Sequence, residues 1–347
     1  TEKMHALVDK IRQGDRRSLA RAMSLVDQVV DDARRLKDRL RRSTGQVPWW
    51  GVTGPPGVGK STLIDALLSM LRRRGRRIGV VAVDPTSPVS DGALLGDRVR
   101  MMRHAVDPDV FIRSLATHHC GGGLSDAALH CARLLELAGY DPVLIETVGV
   151  GQNDVDIGSV ADTCVVMLGP GYGDDIQLTK AGLLEIADIV VVNKCDLPGA
   201  QRLLSAVREA LQVSLSAASS QHRGGHVVPT PDEPPATSAD RMAVFGIEAR
   251  SGKAVDQLLE KLLEVDRAAR GVKQRQRRRH RRVLGEVRRS AVGACRQALE
   301  RGLATPAAKE LVARLERGEV SLEEVVSFQL SVLGKENAGK RELRTDD

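Results

Sequence analysis

The stretch Gly54-Pro55-Pro56-Gly57-Val58-Gly59-Lys60-Ser61 decides the fold, because it is a complete G-x-x-x-x-G-K-[ST] phosphate loop. A short apolar approach that includes Trp49, Trp50 and Val52 precedes it. Apolar residues at helical spacing follow it, namely Leu63, Ile64, Leu67, Leu68 and Leu71. The motif therefore lies between a predicted strand and a predicted helix, as this loop requires.

Phosphate binding is the chemistry of this loop. Glycines let the backbone curl until successive N–H groups point at a phosphate, and the helix N-terminus adds its positive end. We expect Lys60 to reach the β and γ phosphates and the Ser61 hydroxyl to ligate Mg²⁺. The whole run from Gly54 to Ser61, together with Thr62, is expected to contact the nucleotide. The sequence thus predicts a nucleoside triphosphate site.

Short apolar runs alternate with helical patterns after this motif. The runs are Ile78–Val83, Pro142–Ile145, Thr163–Leu168, Ile189–Val192 and Ala243–Ile247, and the helical patterns are Ser125–Ala138, Ile176–Ile186 and Val255–Arg270. Nearly all-apolar runs are typical of strands buried on both faces of a parallel sheet. The pattern predicts an α/β fold, a P-loop NTPase with a mainly parallel central sheet and helical extensions at both ends.

Three parts are predicted along the chain. They are an N-terminal helical extension over residues 1–47, a nucleotide-binding domain over 48–270, and a C-terminal helical extension over 271–347. Ser, Gly, His and Pro without periodicity fill residues 217–241, which predicts a long mobile loop within the domain.

The net charge of +7 is concentrated in one segment. Residues 270–289 contain ten Lys or Arg and one Glu, a local charge of +9, so the other residues sum to −2. No aromatic residue lies among these charges to stack on bases, so we do not expect a nucleic-acid partner. A solvated helix face, or a helix that pairs with an acidic partner, is the expected role.

Membrane and disulfide-stabilised classes are not expected. No run of about 18 apolar residues occurs, and the first residues lack a charged-then-apolar signal pattern. The five cysteines are scattered and never form C-x-x-C, which argues against a disulfide framework and a zinc knuckle. We expect a cytoplasmic protein that does not bind a membrane.

A guanine-reading loop is predicted at Asn193-Lys194-Cys195-Asp196, directly after the run Ile189–Val192. The Asp196 carboxylate can accept both the ring N–H and the exocyclic amine of guanine, whereas adenine would leave it poorly paired. An unmet buried acceptor costs about 1 to 3 kcal/mol, so the site should discriminate for guanine. Asn193 and Lys194 are expected to brace the loop and to cover the base.

Further nucleotide and metal contacts are predicted in the other loops. Glu146-Thr147-Val148-Gly149 follows a strand where many GTPases carry Asp-x-x-Gly, so Glu146 is a Mg²⁺ candidate and the Gly149 amide a γ-phosphate candidate. Asp84 and Asp97 are additional metal candidates, although Asp97 is equally consistent with a helix cap. Near the last strand, Glu248, Ala249 and Arg250 occupy the position of a loop that contacts the guanine carbonyl through a backbone N–H, and Ala249 is the candidate donor.

Slow hydrolysis is expected because Val150 stands where Ras-like enzymes have a Gln that orients the attacking water. Gln152, two residues further, is an alternative for that role. A run of possible soft-metal ligands, His118-His119-Cys120, has no second cluster near it in sequence. It is expected to be a switch-like loop rather than a metal site.

Four unusual loops together resemble the MeaB/ArgK family, which includes the human methylmalonic aciduria type A protein. They are Gly14–Ala22, Val81–Pro88, Leu95–Met101 and Glu146–Gln152, and the likeness covers roughly residues 5–270. The resemblance implies a P-loop GTPase, converting GTP and water to GDP and phosphate, of the metallochaperone class. Such a protein gates cobalamin loading and protects or reactivates an adenosylcobalamin-dependent acyl-CoA mutase.

The resemblance also assigns roles. It implies GTP or GDP and Mg²⁺ as ligands, no cobalamin bound directly by this chain, and a homodimer formed through the helical extensions. By position, Lys60, Ser61, Asp97 and Glu146 match the family's phosphate and magnesium residues, and Asp84 lies in its first switch. The run from Gly171 to Lys180 resembles its third switch, with Lys180 as the first residue to test.

Departures from the family pattern keep alternatives open. His118–Cys120 replaces a Ser/Gly-type loop, Glu248 replaces a Ser, and the Pro-rich loop is unusually long. The client that the resemblance implies is methylmalonyl-CoA mutase by default, with isobutyryl- or hydroxyisobutyryl-CoA mutase equally compatible. A nickel- or zinc-insertion GTPase is an alternative that would rest on the His-His-Cys run. A P-loop kinase of small molecules is a further alternative, against which Asp196 weighs.

Overall fold

A central sheet of seven parallel strands organises the chain. This computed structural model describes residues 2–26, 31–41, 45, 47–84, 102–104, 106–116, 126–147, 157–171, 184–221, 242–269 and 271–328. The strands are β1 Trp49–Thr53, β2 Ile78–Asp84, β3 Val110–Ala116, β4 Val143–Glu146, β5 Thr163–Leu168, β6 Ile189–Val192 and β7 Ala243–Gly246. Their order is β3-β2-β4-β1-β5-β6-β7, which confirms the predicted α/β class.

Helices flank this sheet and extend beyond it. In the part of the chain that the structure describes, they are α1 Glu2–Arg12, α2 Arg16–Val26, α3 Asp31–Arg41, α4 Lys60–Arg73, α5 Asp126–Leu137, α6 Ala200–Gln221, α7 Val255–Ala268, α8 Val272–Ala304 and α9 Pro306–Glu316. Residues 322–328 are also helical, and residues 102–104 and 184–186 form short 3₁₀ helices. None of the described helices is long and apolar enough to cross a membrane.

Alternate strand residues supply the two apolar layers of the core. In β2, Val81 and Val83 pack in the cluster that contains residues of α1, α2, α3, α5 and α6. Val80 and Ala82 pack in the other cluster, with residues of α4 and α7. Because both faces are covered, the central strands read as continuous apolar runs in the sequence. This is why their positions could be predicted from it.

Strand β3 was not predicted, because it is not an apolar run. It contains Arg113 and Ser114, and it lies at an edge of the sheet, pairing with β2. An edge strand has one neighbour instead of two, so polar residues are tolerated there at lower cost. Arg113 donates to the Ser24 hydroxyl of α2 at 3.3 Å.

The predicted loop over 217–241 is wrong at its start. Helix α6 continues to Gln221, and residues 222–241 lie outside the described part. Its last turns, Ala217-Ala218-Ser219-Ser220-Gln221, contain no Gly or Pro to stop a helix. Of the predicted helix Ile176–Ile186, only the 3₁₀ residues 184–186 are described.

In the N-terminal segment the structure describes three helices, α1 to α3. Gly14 breaks the first from the second with a φ of +86°. Asp15 accepts hydrogen bonds from the amides of Arg17 and Ser18 at 3.2 Å each, and so caps α2. Arg16 reaches the start of β3, where its Nη1 donates to the carbonyls of Pro108 and Val110. The family-like stretch that begins at Gly14 is therefore a structural tether between α2 and the sheet.

The chain divides into two compact units, Thr1–Val283 and Leu284–Asp347. The first contains the sheet, α1 to α7 and the opening turns of α8. The second contains the remainder of α8, α9 and the helical residues 322–328. The domain limits predicted at residues 47 and 270 stay a prediction.

Candidate nucleotide site

The phosphate loop joins the carboxyl end of β1 to the start of α4, and two of its glycines are required by their surroundings. Gly54 has a φ of +140°, and a Cβ there would lie 2.2 Å from the carbonyl oxygen of Met167. Gly59 has a φ of +103°, and a Cβ there would lie 2.4 Å from Nδ2 of Asn193. These positions combine a left-handed backbone with close neighbours, so glycine is the residue that fits.

Lys60 is held inside the loop. Its Nζ donates to the carbonyl oxygens of Gly54 at 2.8 Å and Pro55 at 3.1 Å, and the residue is buried. The two acceptors belong to the loop that is expected to wrap a phosphate. The ammonium group is thus placed over the loop, beside the N-terminus of α4.

Ser61 and Glu146 meet at the same edge of the sheet. The Ser61 hydroxyl donates to Oε1 of Glu146 at 2.8 Å, and both side chains are buried. Glu146 is the last residue of β4, which pairs with β1 in a register that places Glu146 opposite Val52. Parallel pairing of these neighbouring strands brings the two side chains together although 85 residues separate them.

A second hydroxyl pair supports this edge. Thr147 Oγ1 donates to Oγ1 of Thr53 at 2.7 Å, in a buried position directly after β4 and at the end of β1. The Thr147 amide also donates to the carbonyl of Val52 at 3.1 Å. Sequence reasoning missed this contact, because a lone Thr at the end of each strand carries no signal by itself.

The other predicted phosphate and metal residues are only partly described. Asp84 is the last residue of β2, the strand beside β4, so its backbone reaches the same edge as Glu146. Asp97, Gly149, Gln152 and Lys180 lie outside the described residues, as do His118, His119 and Cys120. In the part of the chain that is described, no group of three or more His, Cys, Asp or Glu is arranged to hold a metal ion.

Asn193 connects three loops. Its Nδ2 donates to the carbonyl of Val58 in the phosphate loop at 2.8 Å, and its Oδ1 accepts from the amide of Ala249 at 2.9 Å. The side chain is buried, so both hydrogen bonds are shielded from water. Lys194 follows with a φ of +60°, and Asp196 is exposed. The turn therefore leaves the Asp196 side chain exposed.

The loop after β7 is closed by its own side chains. Lys253 Nζ donates to Oε1 of Glu248 at 2.8 Å, and the Ser251 hydroxyl donates to Oε2 at 3.1 Å. The hydrogen bonds from Lys253 and then Ser251 lower the pKa of Glu248. Glu248 thus holds the loop, while the Ala249 amide already donates to Asn193 and Arg250 is exposed. A base carbonyl would have to compete with Asn193 for the Ala249 N–H.

A buried cluster of charged side chains lies at the opposite, amino-terminal ends of the strands, and its two arginines come from the basic segment. We call this cluster the junction. It consists of Glu136, Asp162, Asp266, Arg278 and Arg282, all within the first unit. Arg282 donates to Oε2 of Glu136 at 2.9 Å and to Oδ2 of Asp162 at 2.5 Å. Its guanidinium lies 3.6 Å from the centroid of the Trp49 ring. These acids are scattered in the sequence, so no local pattern marks them.

Comparisons with known proteins indicate the family that this chain resembles. A family model described as Methylmalonyl Co-A mutase-associated GTPase MeaB matches residues 19–301. A protein of Pyrococcus horikoshii is 52% identical over 194 residues, which cover 56% of this chain and 61% of that protein. The GTPase ArgK of Escherichia coli is 41% identical over 195 residues, covering 54% of this chain and 58% of ArgK.

A solved structure extends the likeness of the fold to nearly the whole chain. A crystal structure described as a LAO/AO transport system kinase has a TM-score of 0.66 with 22% identity, covering 96% of this chain and 98% of that one. At this identity the likeness concerns the fold alone. By sequence, the aligned part spans about three fifths of the length of the curated relatives.

Proposed function

Because this chain belongs to the MeaB family of GTPases, we propose that it binds GTP with Mg²⁺ and hydrolyses GTP slowly to GDP and phosphate. The resemblance to the MeaB/ArgK family drawn from the sequence is confirmed by the family model and by the ArgK relative. The contact between Ser61 and Glu146 carries the proposal. It places a hydroxyl and a carboxylate beside the lysine of a complete phosphate loop.

The residues present fit a magnesium ion. Ser61 Oγ and Glu146 Oε1 lie 2.8 Å apart, and hydroxyl and carboxylate oxygens are the ligands that Mg²⁺ prefers. When bound, Mg²⁺ neutralises charge on the β and γ phosphates. Ser61 would hold the ion directly, and Glu146 would hold it directly or through water. Asp84 and Asp97 are proposed to complete its surroundings.

Lys60 would change its hydrogen-bond partners when the nucleotide binds. Its Nζ now donates to the carbonyls of Gly54 and Pro55, and it would transfer those hydrogen bonds to β- and γ-phosphate oxygens. The backbone N–H groups of Gly57, Val58, Gly59, Ser61 and Thr62 would surround the phosphates, whereas Pro55 and Pro56 have no N–H to donate and would contact the nucleotide in other ways. Gly149 is proposed to bind the γ-phosphate through its amide.

Slow turnover follows from the residue after Gly149. Val150 has no polar group to orient the attacking water, so we propose that Gln152, Lys180 or a residue of a partner supplies this function. The expected single-turnover rate of the isolated chain is orders of magnitude below that of an activated GTPase. A rate as fast as an activated GTPase, measured without partner, would contradict this.

Guanine specificity is proposed to reside in Asp196, with Asn193 and Lys194 as its supports. Asp196→Asn should weaken GTP binding and favour xanthosine triphosphate, because the amide nitrogen can donate to the xanthine carbonyl where the carboxylate accepted from the guanine amine. The affinities for GTP, xanthosine triphosphate and ATP should be measured by competition with a fluorescent nucleotide. Asp256→Asn, the same change at an exposed position of α7, is the control. Unchanged base preference in Asp196→Asn, or tight ATP binding by the natural protein, would contradict the proposal.

The proposed client is an adenosylcobalamin-dependent acyl-CoA mutase, with methylmalonyl-CoA mutase first because the family model carries that name. In this role the chain gates cobalamin loading and protects or reactivates the mutase without binding cobalamin itself. Mutase activity should be followed over repeated turnovers with the natural protein and GTP, and with Lys60→Ala. Protection that depends on GTP and is lost in Lys60→Ala supports the role. An equal rate of mutase inactivation with and without the chain opposes it.

A homodimer is proposed through the second unit. Exposed apolar or small residues recur every three or four positions along α8, at Leu284, Val287, Ala291, Cys295, Leu299 and Leu303. Leu303 is 45% exposed and Val287 57% exposed, which favours burial against another surface. Val287→Glu with Leu299→Glu should give a monomer by light scattering, while Ser290→Glu, off this line, should not. A natural protein that is monomeric at micromolar concentration would contradict the proposal.

A further inference from the structure

The opening turns of α8 carry an unusual concentration of charge. Residues 272–283 contain seven Lys or Arg and no Asp or Glu. Arg278 and Arg282 are buried in the junction, where carboxylates of Asp162, Asp266 and Glu136 lie within ion-pair distance. Lys273, Arg277 and Arg281 are exposed and occupy positions i, i+4 and i+8 of the same helix. We call these three residues the cationic stripe.

The cationic stripe has no counter-ion among the described residues. Within that part of the chain, Lys273, Arg277 and Arg281 form no ion pair, although Arg281 donates from Nη1 to the carbonyl of Ala161 at 3.2 Å. Like charges at i, i+4 disfavour a helix by roughly 0.2 to 0.5 kcal/mol per pair. Elsewhere in the first unit, the exposed Arg74 pairs with Glu260 and the half-buried Arg76 pairs with Asp141. The stripe lies in a segment that contains cations and no carboxylate, unlike a surface where charges of both signs are mixed.

The junction holds the stripe in a fixed orientation. Arg282 is 1% exposed in its side chain and is anchored to Glu136, Asp162, the Val47 carbonyl and the Trp49 ring. Arg278 lies one helical turn earlier on the same face, with Nε 3.5 Å from Oδ1 of Asp162. The helix axis and rotation are thus set by buried contacts on one side. A partner would therefore bind the exposed cations without the entropy cost of ordering this helix.

We propose that the cationic stripe docks an acidic helix or acidic ridge on the protein partner, which rests on the proposed function in taking that partner to be the mutase. Carboxylates spaced one turn apart on a partner helix would match the spacing of about 6 Å between the cations. A protein is favoured over nucleic acid because residues 272–283 contain no aromatic side chain to stack on bases. Charges of this kind raise the association rate and set specificity more than they slow dissociation.

The test compares two double charge reversals in the full chain. Lys273→Glu with Arg277→Glu reverses two of the three charges of the cationic stripe and leaves Arg281, which donates to the Ala161 carbonyl. Arg17→Glu with Arg21→Glu is the matched control, because these exposed arginines also lie four residues apart, on α2. Association and dissociation rates with methylmalonyl-CoA mutase of the same organism are measured by biosensor, with GTP, at about 50 mM and about 300 mM salt.

The stripe variant should associate at least about tenfold more slowly than the natural protein at low salt, with a smaller difference at high salt. The control should change by less than about twofold. The neutral variant Lys273→Gln with Arg277→Gln should fall between them, which separates charge from helix damage. Unchanged circular dichroism and GTP affinity must accompany the effect.

Other outcomes overturn the inference in distinguishable ways. Equal rates for stripe and control variants would reject the cationic stripe as a docking surface and leave the proposed function standing. A natural protein that does not bind the mutase at all would reject the proposed partner itself. Tight binding of a DNA duplex by the natural protein, lost in the stripe variant and not in the control, would assign the stripe to nucleic acid instead.

Discussion

Two glycines of the phosphate loop show how strongly a single residue is constrained in this protein. Gly54 approaches the backbone of Met167, and Gly59 approaches the side chain of Asn193. The same Asn193 reaches the Val58 carbonyl and the Ala249 amide. A change at Gly59 is therefore expected to disturb both the phosphate loop and the loop that begins at Asn193.

Gly59→Ala should weaken nucleotide binding and destabilise the protein. Its Cβ would lie 2.4 Å from Asn193 Nδ2 at a φ of +103°, so Asn193 must move and lose its buried hydrogen bonds. We expect a loss of about 1 to 3 kcal/mol in unfolding free energy. Gly75→Ala is the control, because its φ is +70° but nothing lies within 4 Å of the added Cβ. Urea denaturation and GDP titration check this, and equal effects of the two changes would contradict it.

Glu146→Gln should raise the Mg²⁺ concentration needed for GTP hydrolysis. The amide keeps the size of the side chain and can still contact Ser61, but it lacks the charge that attracts a divalent cation. Titration of single-turnover hydrolysis with Mg²⁺ should give a midpoint at least about tenfold higher than in the natural protein. Glu260→Gln, an exposed position on α7, is the control. An unchanged midpoint in Glu146→Gln would contradict the proposed role of Glu146 in binding magnesium.

At the scale of elements, the junction joins the first turns of α8 to the start of β1. Trp49 at the start of that strand donates its amide to Oδ2 of Asp162 at 2.8 Å, and Trp50 donates its indole N–H to Oδ2 of Asp266 at 3.0 Å. Both tryptophans of the chain lie here, one strand length from the phosphate loop. Intrinsic fluorescence therefore reports on the junction.

Arg282→Ala should destabilise the first unit by about 3 to 5 kcal/mol, because it removes the arginine that pairs with the buried Glu136 carboxylate and one of the two arginines that pair with Asp162. Loss of the contact with Trp49 should also alter the tryptophan emission. Arg279→Ala removes an exposed arginine from the same helix and should cost less than about 0.5 kcal/mol. Urea denaturation followed by fluorescence measures both. A cost for Arg282→Ala within error of that for Arg279→Ala would show that the junction does not hold the helix.

At the scale of the whole molecule, Asp266 makes stability depend on pH. Burial raises its pKa from 3.8 to about 7, opposed by Arg278 and by the hydrogen bond from Trp50, while Asp162 and Asp141 add to the increase. The folded protein therefore holds this proton more tightly than the unfolded chain does. The contribution of the protonated Asp266 carboxyl to the unfolding free energy is complete below about pH 4. It is lost as the pH rises through about 7.

The comparison of natural protein with Asp266→Asn isolates this effect. The unfolding free energy of the natural protein minus that of Asp266→Asn should decrease as the pH rises from about 4 to about 7. It should stay constant above about 8. Three pKa units correspond to an upper limit on the order of 4 kcal/mol. Denaturation curves at intervals of pH measure it, with Asp256→Asn as the exposed control on the same helix. A difference that increases with pH would contradict the assignment.

The sequence by itself determined the parts of this protein that depend on local chemistry. The phosphate loop needs glycines, a lysine and a hydroxyl at set spacing, so Gly54–Ser61 and the α/β class could be predicted from the order of residues alone. Buried parallel strands are apolar on both faces, so β2, β4, β5 and β6 were placed to within about a residue or two. The order of the unusual loops was enough to indicate the family.

Only the tertiary structure decided which distant residues meet. Strand order brings Glu146 to Ser61, and Asn193 to Val58 and Ala249, because neighbouring parallel strands end at one edge of the sheet. Folding also divides the basic segment into two parts. Arg278 and Arg282 are buried and pair with acids from elsewhere in the chain, whereas the cationic stripe is exposed. Charge pairing acts through space over a few ångströms, whereas sequence patterns report only neighbours along the chain.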